Sequence, residues 1–154
     1  MNAPSPQHET AIHRRVAACR AGLDPTLIAR LSSGWAVLGD PQVLSGYCLL
    51  LPDPVVPHLN AMPPAAQQTF LADVARLGDA VLAVMQAVRI NYAIFGNVEP
   101  ALHAHVFPRR ADEPVHLLQA NPWGHDWNAA PRFDAARDHE LIERLRVELS
   151  TRGG

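Results

Sequence analysis

Two histidines and an arginine stand close together in Ala101-Leu102-His103-Ala104-His105-Val106-Phe107-Pro108-Arg109. Apolar and polar residues alternate there at period two, the pattern of a strand with two unlike faces. His103 and His105 then share one face, their Cα atoms roughly 6.5–7 Å apart. Leu102, Ala104 and Val106 point to the opposite face, towards a core. Pro108 has no N–H to donate, so the ladder is expected to end there. Arg109 follows as a fixed positive charge. Two imidazoles beside an arginine can attack, protonate and hold a phosphoryl group. The other chemistry open to His-X-His on a strand is a metal site, two nitrogens on one zinc. It needs a third ligand, which His58, His116, His125 or Asp112 would supply; no Cys-x-x-Cys or His-Glu-x-x-His supports it.

A displacement at phosphorus needs an aligned nucleophile, neutralised phosphate charge and a proton for the leaving group. An imidazole serves as nucleophile when its attacking nitrogen is unprotonated and an acceptor, such as a backbone carbonyl, holds the opposite N–H. In this strand His103 attacks, and His105, when protonated, bonds a phosphate oxygen or the leaving oxygen.

The elements that position these residues are legible from periodicity and turn chemistry. His8 to Ala21 reads as a helix after a loose Met1–Gln7, and Asp24-Pro25 reads as the start of a second helix running to Ser32, ended by Gly34. Trp35–Leu38 and Leu44–Leu51 read as strands, the second apolar enough for burial on both faces. Four prolines make 53–64 an extended loop. From Pro64 to Ala87, Phe70, Leu71, Val74, Leu77, Val81, Leu82, Val84 and Met85 fall at helical spacing. Arg89–Phe95 is a strand, 96–100 a turn, and the histidine strand pairs antiparallel to it. An irregular stretch with Trp123 and Trp127 precedes a terminal helix over 133–149. The aromatics either close over the pocket and stack on a base or pack the tail against the core. The fold class is α+β: an antiparallel meander with one long helix across a face and smaller helices at both ends.

Gly46-Tyr47-Cys48-Leu49-Leu50-Leu51-Pro52, the segment 90–100 and the histidine strand together resemble the histidine triad (HIT) family, over roughly 35–110. That family has an earlier Gly-His-apolar-run-Pro strand, then three alternating histidines preceded by Gly-Gln or Gly-Asn and often followed by Pro-Arg. Registered on Pro108-Arg109, the triad positions fall on Ala101, His103 and His105, so the first histidine is missing. The resemblance implies a nucleotidyl–histidine intermediate at the middle position, His103, later hydrolysed by water. In the related uridylyltransferase branch the third histidine is replaced, so loss of an outer member does not by itself abolish the chemistry. The resemblance also implies phosphate or ribose contacts from Gly96, Asn97, Asn91, Asp40 and Arg109. Similarity to bacterial diadenosine polyphosphate hydrolase-like members implies a dinucleoside polyphosphate, phosphoramidate or related nucleotide as substrate. No cofactor is required, although a divalent cation can arrive with the substrate, and a homodimer with joined sheets is implied. The rival readings are a nucleotide-binding or regulatory module with little turnover, marked by Ala101, and a histidine-ligated metalloprotein.

Composition narrows the rest. The 154 residues suit one domain: a helical extension over 1–34, the HIT-like core over 35–110 and a packed tail over 111–154. A net charge of −2 with no basic stripe argues against nucleic acid as partner. All 13 basic residues are arginine, which removes lysine Schiff-base, lysine-adenylate and Walker-type chemistry. Two isolated cysteines and no leader-like or membrane-length apolar run make a reducing cytoplasm, and no membrane, the expectation.

Overall fold

The computed structural model describes residues 9–153; the loose segment expected over Met1–Gln7, and His8, lie outside them. Helix α1 (Ala11–Arg20) is followed by strands β1 (Leu27–Arg30), β2 (Gly34–Leu38) and β3 (Cys48–Pro52), then by the long helix α2 (Pro64–Met85). Strands β4 (Arg89–Ala93) and β5 (Ala104–Arg109) lead to helix α3 (Ala135–Thr151), with short 3-10 turns in the connecting loops. The five strands form one antiparallel sheet in the order β1-β2-β3-β5-β4. Helix α2 carries the chain across the sheet from β3 to the edge strand β4. The β4–β5 pair then folds back, so β5 lies inside the sheet.

Alternation sends side chains of the inner strands β2, β3 and β5 into two apolar layers. Leu102, Ala104 and Val106 join Cys48, Leu50, Ala36 and Leu38 beneath α2 and α3. Those helices contribute Phe70, Val74, Leu77, Val81, Ile142, Leu145 and Leu149, the face their periodicity predicts. Leu71 and Leu82, from the same periodic run, are exposed. On the other sheet face Ala101 and Phe107 pack with Tyr47, Leu49, Leu51 and α1. β3 is buried along its whole length, as its composition requires.

Two expectations are corrected. The helix expected from Asp24 to Ser32 is strand β1, because Asp24 Oδ1 accepts from both N (2.9 Å) and Oγ1 (2.6 Å) of Thr26. This closes a local turn instead of capping a helix, and Leu27–Arg30 then pair with the free edge of β2. Nor does the ladder stop at Pro108. Pairing with β3 ends at Val106, but pairing with β4 continues through Pro108 and Arg109, opposite Ile90 and Arg89. The missing N–H thus falls where β5 has lost one neighbour and kept the other. His103 sits just before β5, on the side its spacing predicts.

Arg109 ties the tail to the sheet. Its guanidinium donates to Glu113 through Nε (3.0 Å) and Nη2 (2.7 Å), to Asn91 Oδ1 (3.0 Å), and to the carbonyls of Ala120 (2.6 Å) and Leu117 (2.9 Å). These contacts occupy all the N–H donors an arginine has, and Arg109 holds the Glu113 carboxyl below its ordinary range. Both side chains are buried. Arg109→Ala is therefore expected to destabilise the fold by about 3–5 kcal/mol, since Glu113 would remain buried and unpaired. Arg109→Lys should recover only part of this, because an ammonium cannot fork to four acceptors. Urea denaturation measures both; a loss under about 1 kcal/mol for Arg109→Ala would contradict the anchoring role.

Candidate active site

Residues 101 to 107 place His103 and His105 side by side on the sheet face away from α2, ring centroids 4.9 Å apart. Nδ1 of His103 lies 2.7 Å from the carbonyl oxygen of Ala101. A carbonyl can only accept, so Nδ1 carries a proton and, in the neutral ring, Nε2 keeps its lone pair. Nε2 of His103 has no hydrogen-bond partner among the described residues. The side chain is only 7% exposed, yet it lines a cavity of about 740 Å³ together with His105. The nucleophile geometry is thus set by a backbone acceptor two residues upstream.

His105 is in a drier setting. Phe107 stacks parallel to it at 5.6 Å, and Trp123 meets it edge-on at 5.2 Å. Burial, reinforced by His103, lowers its pKa to about 4. With that shift the ring is neutral near neutral pH, so a donation to a phosphoryl oxygen would come from a neutral N–H.

The other residues expected at the site divide into two groups. Asn97 and Asp40 line the histidine cavity. Asn97 makes no side-chain hydrogen bond within the described chain. Asp40 is engaged, accepting from the Phe133 N–H at 2.9 Å and from Arg132 at 3.2 Å. Gly96 is exposed, and a side chain there would meet nothing within 4 Å, so no close approach of other protein atoms calls for glycine. Asn91 and Arg109 occupy the same sheet face but line a neighbouring cavity of about 910 Å³ beyond Trp123. Arg109 is spent on the tail, and Arg110 on Asp112 and the Met85 carbonyl. None of His58, His116, His125 and Asp112 lines the histidine cavity, and among the described residues no three histidine, cysteine or acidic groups converge as a metal site would need.

Tyr47, Phe95, Glu99 and Asn121, at the cavity or against its histidines, were not singled out from the sequence as site residues. Phe95, Glu99 and Asn121 line the cavity. Glu99 also reaches the Ile12 N–H at 3.4 Å, joining the start of α1 to the rim. Tyr47 touches His105 through its hydroxyl, at 2.7 Å. Its position in the Gly-His-like step was the one signal that could have singled it out. Trp123 and Trp127 stack on each other at 5.7 Å; Trp127 packs with the apolar layer, while Trp123 stays partly open at the cavity wall. Ala101 is 1% exposed, in the layer that includes α1, so the place of a first histidine is packed with apolar groups.

The depressed pKa of His105 has a sign that can be checked. Between pH 6.5 and about 4 the unfolded chain binds a proton at this residue and the folded chain does not. Stability is therefore expected to fall as pH drops through that window, by up to about 3 kcal/mol, with no further loss from this group below it. Denaturation of wild type and His105→Gln across pH 4–7 isolates the effect; equal slopes for the two proteins would contradict it.

Comparison with known proteins bears on the family and the fold. The family model described as HIT domain matches residues 33–112, while no curated protein sequence gives a match. Among solved structures, a histidine triad protein from Marinobacter aquaeolei superposes with TM-score 0.73 at 19% identity, covering 92% of this chain and 97% of its own. A histidine triad protein from Bradyrhizobium japonicum gives 0.70 at 21%, covering 80% and 89%. A hypothetical histidine triad nucleotide-binding protein from Sulfolobus tokodaii gives 0.69 at 13%, covering 88% and 91%. At these identities the likeness speaks for the fold; the family match, which spans more than half of the chain, makes this protein a member of the HIT family.

Proposed function

We propose that the protein is a nucleotide phosphohydrolase or nucleotidyltransferase that acts at an α-phosphate through a nucleotidyl intermediate on His103. The observation that carries this reading is the Nδ1–carbonyl bond at 2.7 Å, which leaves the opposite nitrogen of His103 unprotonated in the neutral ring beside His105. His103 Nε2 attacks phosphorus, the P–O or P–N bond to the leaving group breaks with its electron pair going to the leaving atom, and that atom takes a proton from solvent. Water then attacks the phosphorus, the bond from phosphorus to Nε2 breaks with its electron pair returning to His103, and the proton lost by the water passes to solvent as nucleoside monophosphate leaves; an acceptor other than water makes the same step a transfer.

Phosphate charge has to be met mainly by N–H donors. No arginine lines the histidine cavity among the described residues, whereas Asn97, Asn121 and His105 do. The partly exposed Trp123 and Phe95, in edge contact at 4.9 Å, offer an apolar wall for a base. The nucleotide-binding character in the name of the Sulfolobus relative points the same way. Substrates consistent with the wall are dinucleoside polyphosphates and nucleoside phosphoramidates. The covalent step as written needs no metal cofactor, and a divalent cation can enter with a polyphosphate.

Ala101 does not count against the enzyme, for a structural reason. What orients His103 is the carbonyl of residue 101, which any amino acid there supplies. The assay is steady-state hydrolysis of an adenosine phosphoramidate and a diadenosine polyphosphate, with nucleotide binding measured separately. Wild type is expected to turn over at least one, and His103→Ala to lose at least about a thousandfold in kcat while still binding. Ala101→His is expected to cost about 1–3 kcal/mol through overpacking and to add no activity. A wild type that binds without turnover, beside an active Ala101→His, would establish the binding module instead.

A homodimer completes the proposal. β4 is a sheet edge in the isolated chain, and Val88, Tyr92, Ile94, Phe95 and, on α2, Leu82 are exposed around it. Edge-to-edge pairing of two β4 strands would join the sheets and cover this apolar band. Light scattering is expected to give twice the chain mass for wild type, and Tyr92→Arg to shift it towards monomer; a monomeric wild type at micromolar concentration would contradict the pairing.

A further inference from the structure

The contact between the Tyr47 hydroxyl and Nδ1 of His105, 2.7 Å long, has two available proton arrangements. In one, Nδ1–H donates to the phenol oxygen; in the other, the phenol donates to an unprotonated Nδ1. Tyr47 is 3% exposed, and its hydroxyl has no second hydrogen-bond partner among the described residues. The first arrangement would leave the phenolic hydrogen buried without an acceptor, at a cost of about 1–3 kcal/mol. The second satisfies both atoms. Burial pushes the phenol's pKa up, so it keeps the proton that it donates.

The tyrosine is held for this contact. Its ring stacks on Phe107 at 4.3 Å, nearly parallel. Trp127 closes the edge at 5.8 Å. Gly39 lies so close beneath the ring that a Cβ there would come within 2.2 Å of it, so only glycine leaves room for the phenol in this position. Rotation away from Nδ1 is therefore blocked on three sides.

We propose that Tyr47 is a positioning residue that holds His105 in the tautomer protonated at Nε2, opposite to that of His103. His103 then offers a lone pair at Nε2 and His105 a hydrogen at Nε2, and the two neighbouring rings cannot exchange roles. His105 becomes a neutral donor to the phosphoryl group, with no need of a second proton. Its mechanistic meaning rests on the phosphoryl-transfer reading, but the tautomer itself does not.

Long-range 1H–15N spectra of the labelled wild-type protein at neutral pH test this without any substrate, with His105→Gln assigning the signals. His105 is expected to show an unprotonated nitrogen at Nδ1 and a protonated one at Nε2. Tyr47→Phe, which keeps the ring and its stacking, should convert His105 to a mixture containing the Nδ1–H form. On a substrate that wild type turns over, the same variant should lower kcat at least about tenfold with little change in KM. A wild-type His105 protonated at Nδ1 would overturn the proposal, as would an unchanged His105 tautomer in Tyr47→Phe. Absence of turnover in wild type with the expected tautomer would count against the enzymatic reading alone.

Discussion

Side chains alternate across a strand, and in this fold that alternation is locked by burial on one face of β5. Leu102, Ala104 and Val106 lie beneath α2 with almost no exposure. Full burial of a leucine or valine side chain contributes about 1.5–3 kcal/mol, and a slip of one residue would exchange this row for histidines in the apolar layer. The register of His103 and His105 is therefore set by packing on the opposite face, not by contacts inside the site. Pairing with β3 and β4 at the two edges of β5 removes what slack remains.

On the open face, the tail does the rest. Arg109, the next residue but one after Phe107 on the histidine side, gathers Glu113, Leu117 and Ala120 around a buried guanidinium. That brings Trp123 against Phe107 and His105 and Trp127 against Phe107, adding to the burial that, with His103, lowers the basicity of His105. The positive charge near the site thus acts by building an aromatic wall, leaving polar N–H groups to meet a phosphate. Within that wall the two imidazoles are distinguished by the atoms bound at Nδ1: a carbonyl at His103, a phenol at His105.

The histidine pair, the buried β3 strand, α2 and the terminal helix were legible in the sequence because each carries its own periodicity, and the HIT likeness follows from motifs held at a fixed spacing. The failures have a common cause. Asp24-Pro25 is an equally good helix start or turn, and only the vacant edge of β2 decides in favour of the strand. Arg109 looks like a phosphate ligand until the tail that follows it is folded back onto the sheet. Tyr47 lies 58 residues from its partner, and its place in the Gly-His-like step marks the position without naming what it touches. Asn91 shares the histidine face, yet the indole of Trp123 separates it into the adjoining cavity. Local chemistry was readable; the use made of it by distant segments was not.

The identity of the nucleophile is tested most directly by rapid mixing with a turned-over nucleotide, quenching in alkali, which spares a phosphorus–nitrogen bond, and peptide mapping by mass spectrometry. The expected result is a mass increase of one nucleoside monophosphoryl group on His103, appearing before product and absent in His103→Ala. An adduct on another residue, or a burst of product with an unmodified His103, would contradict it.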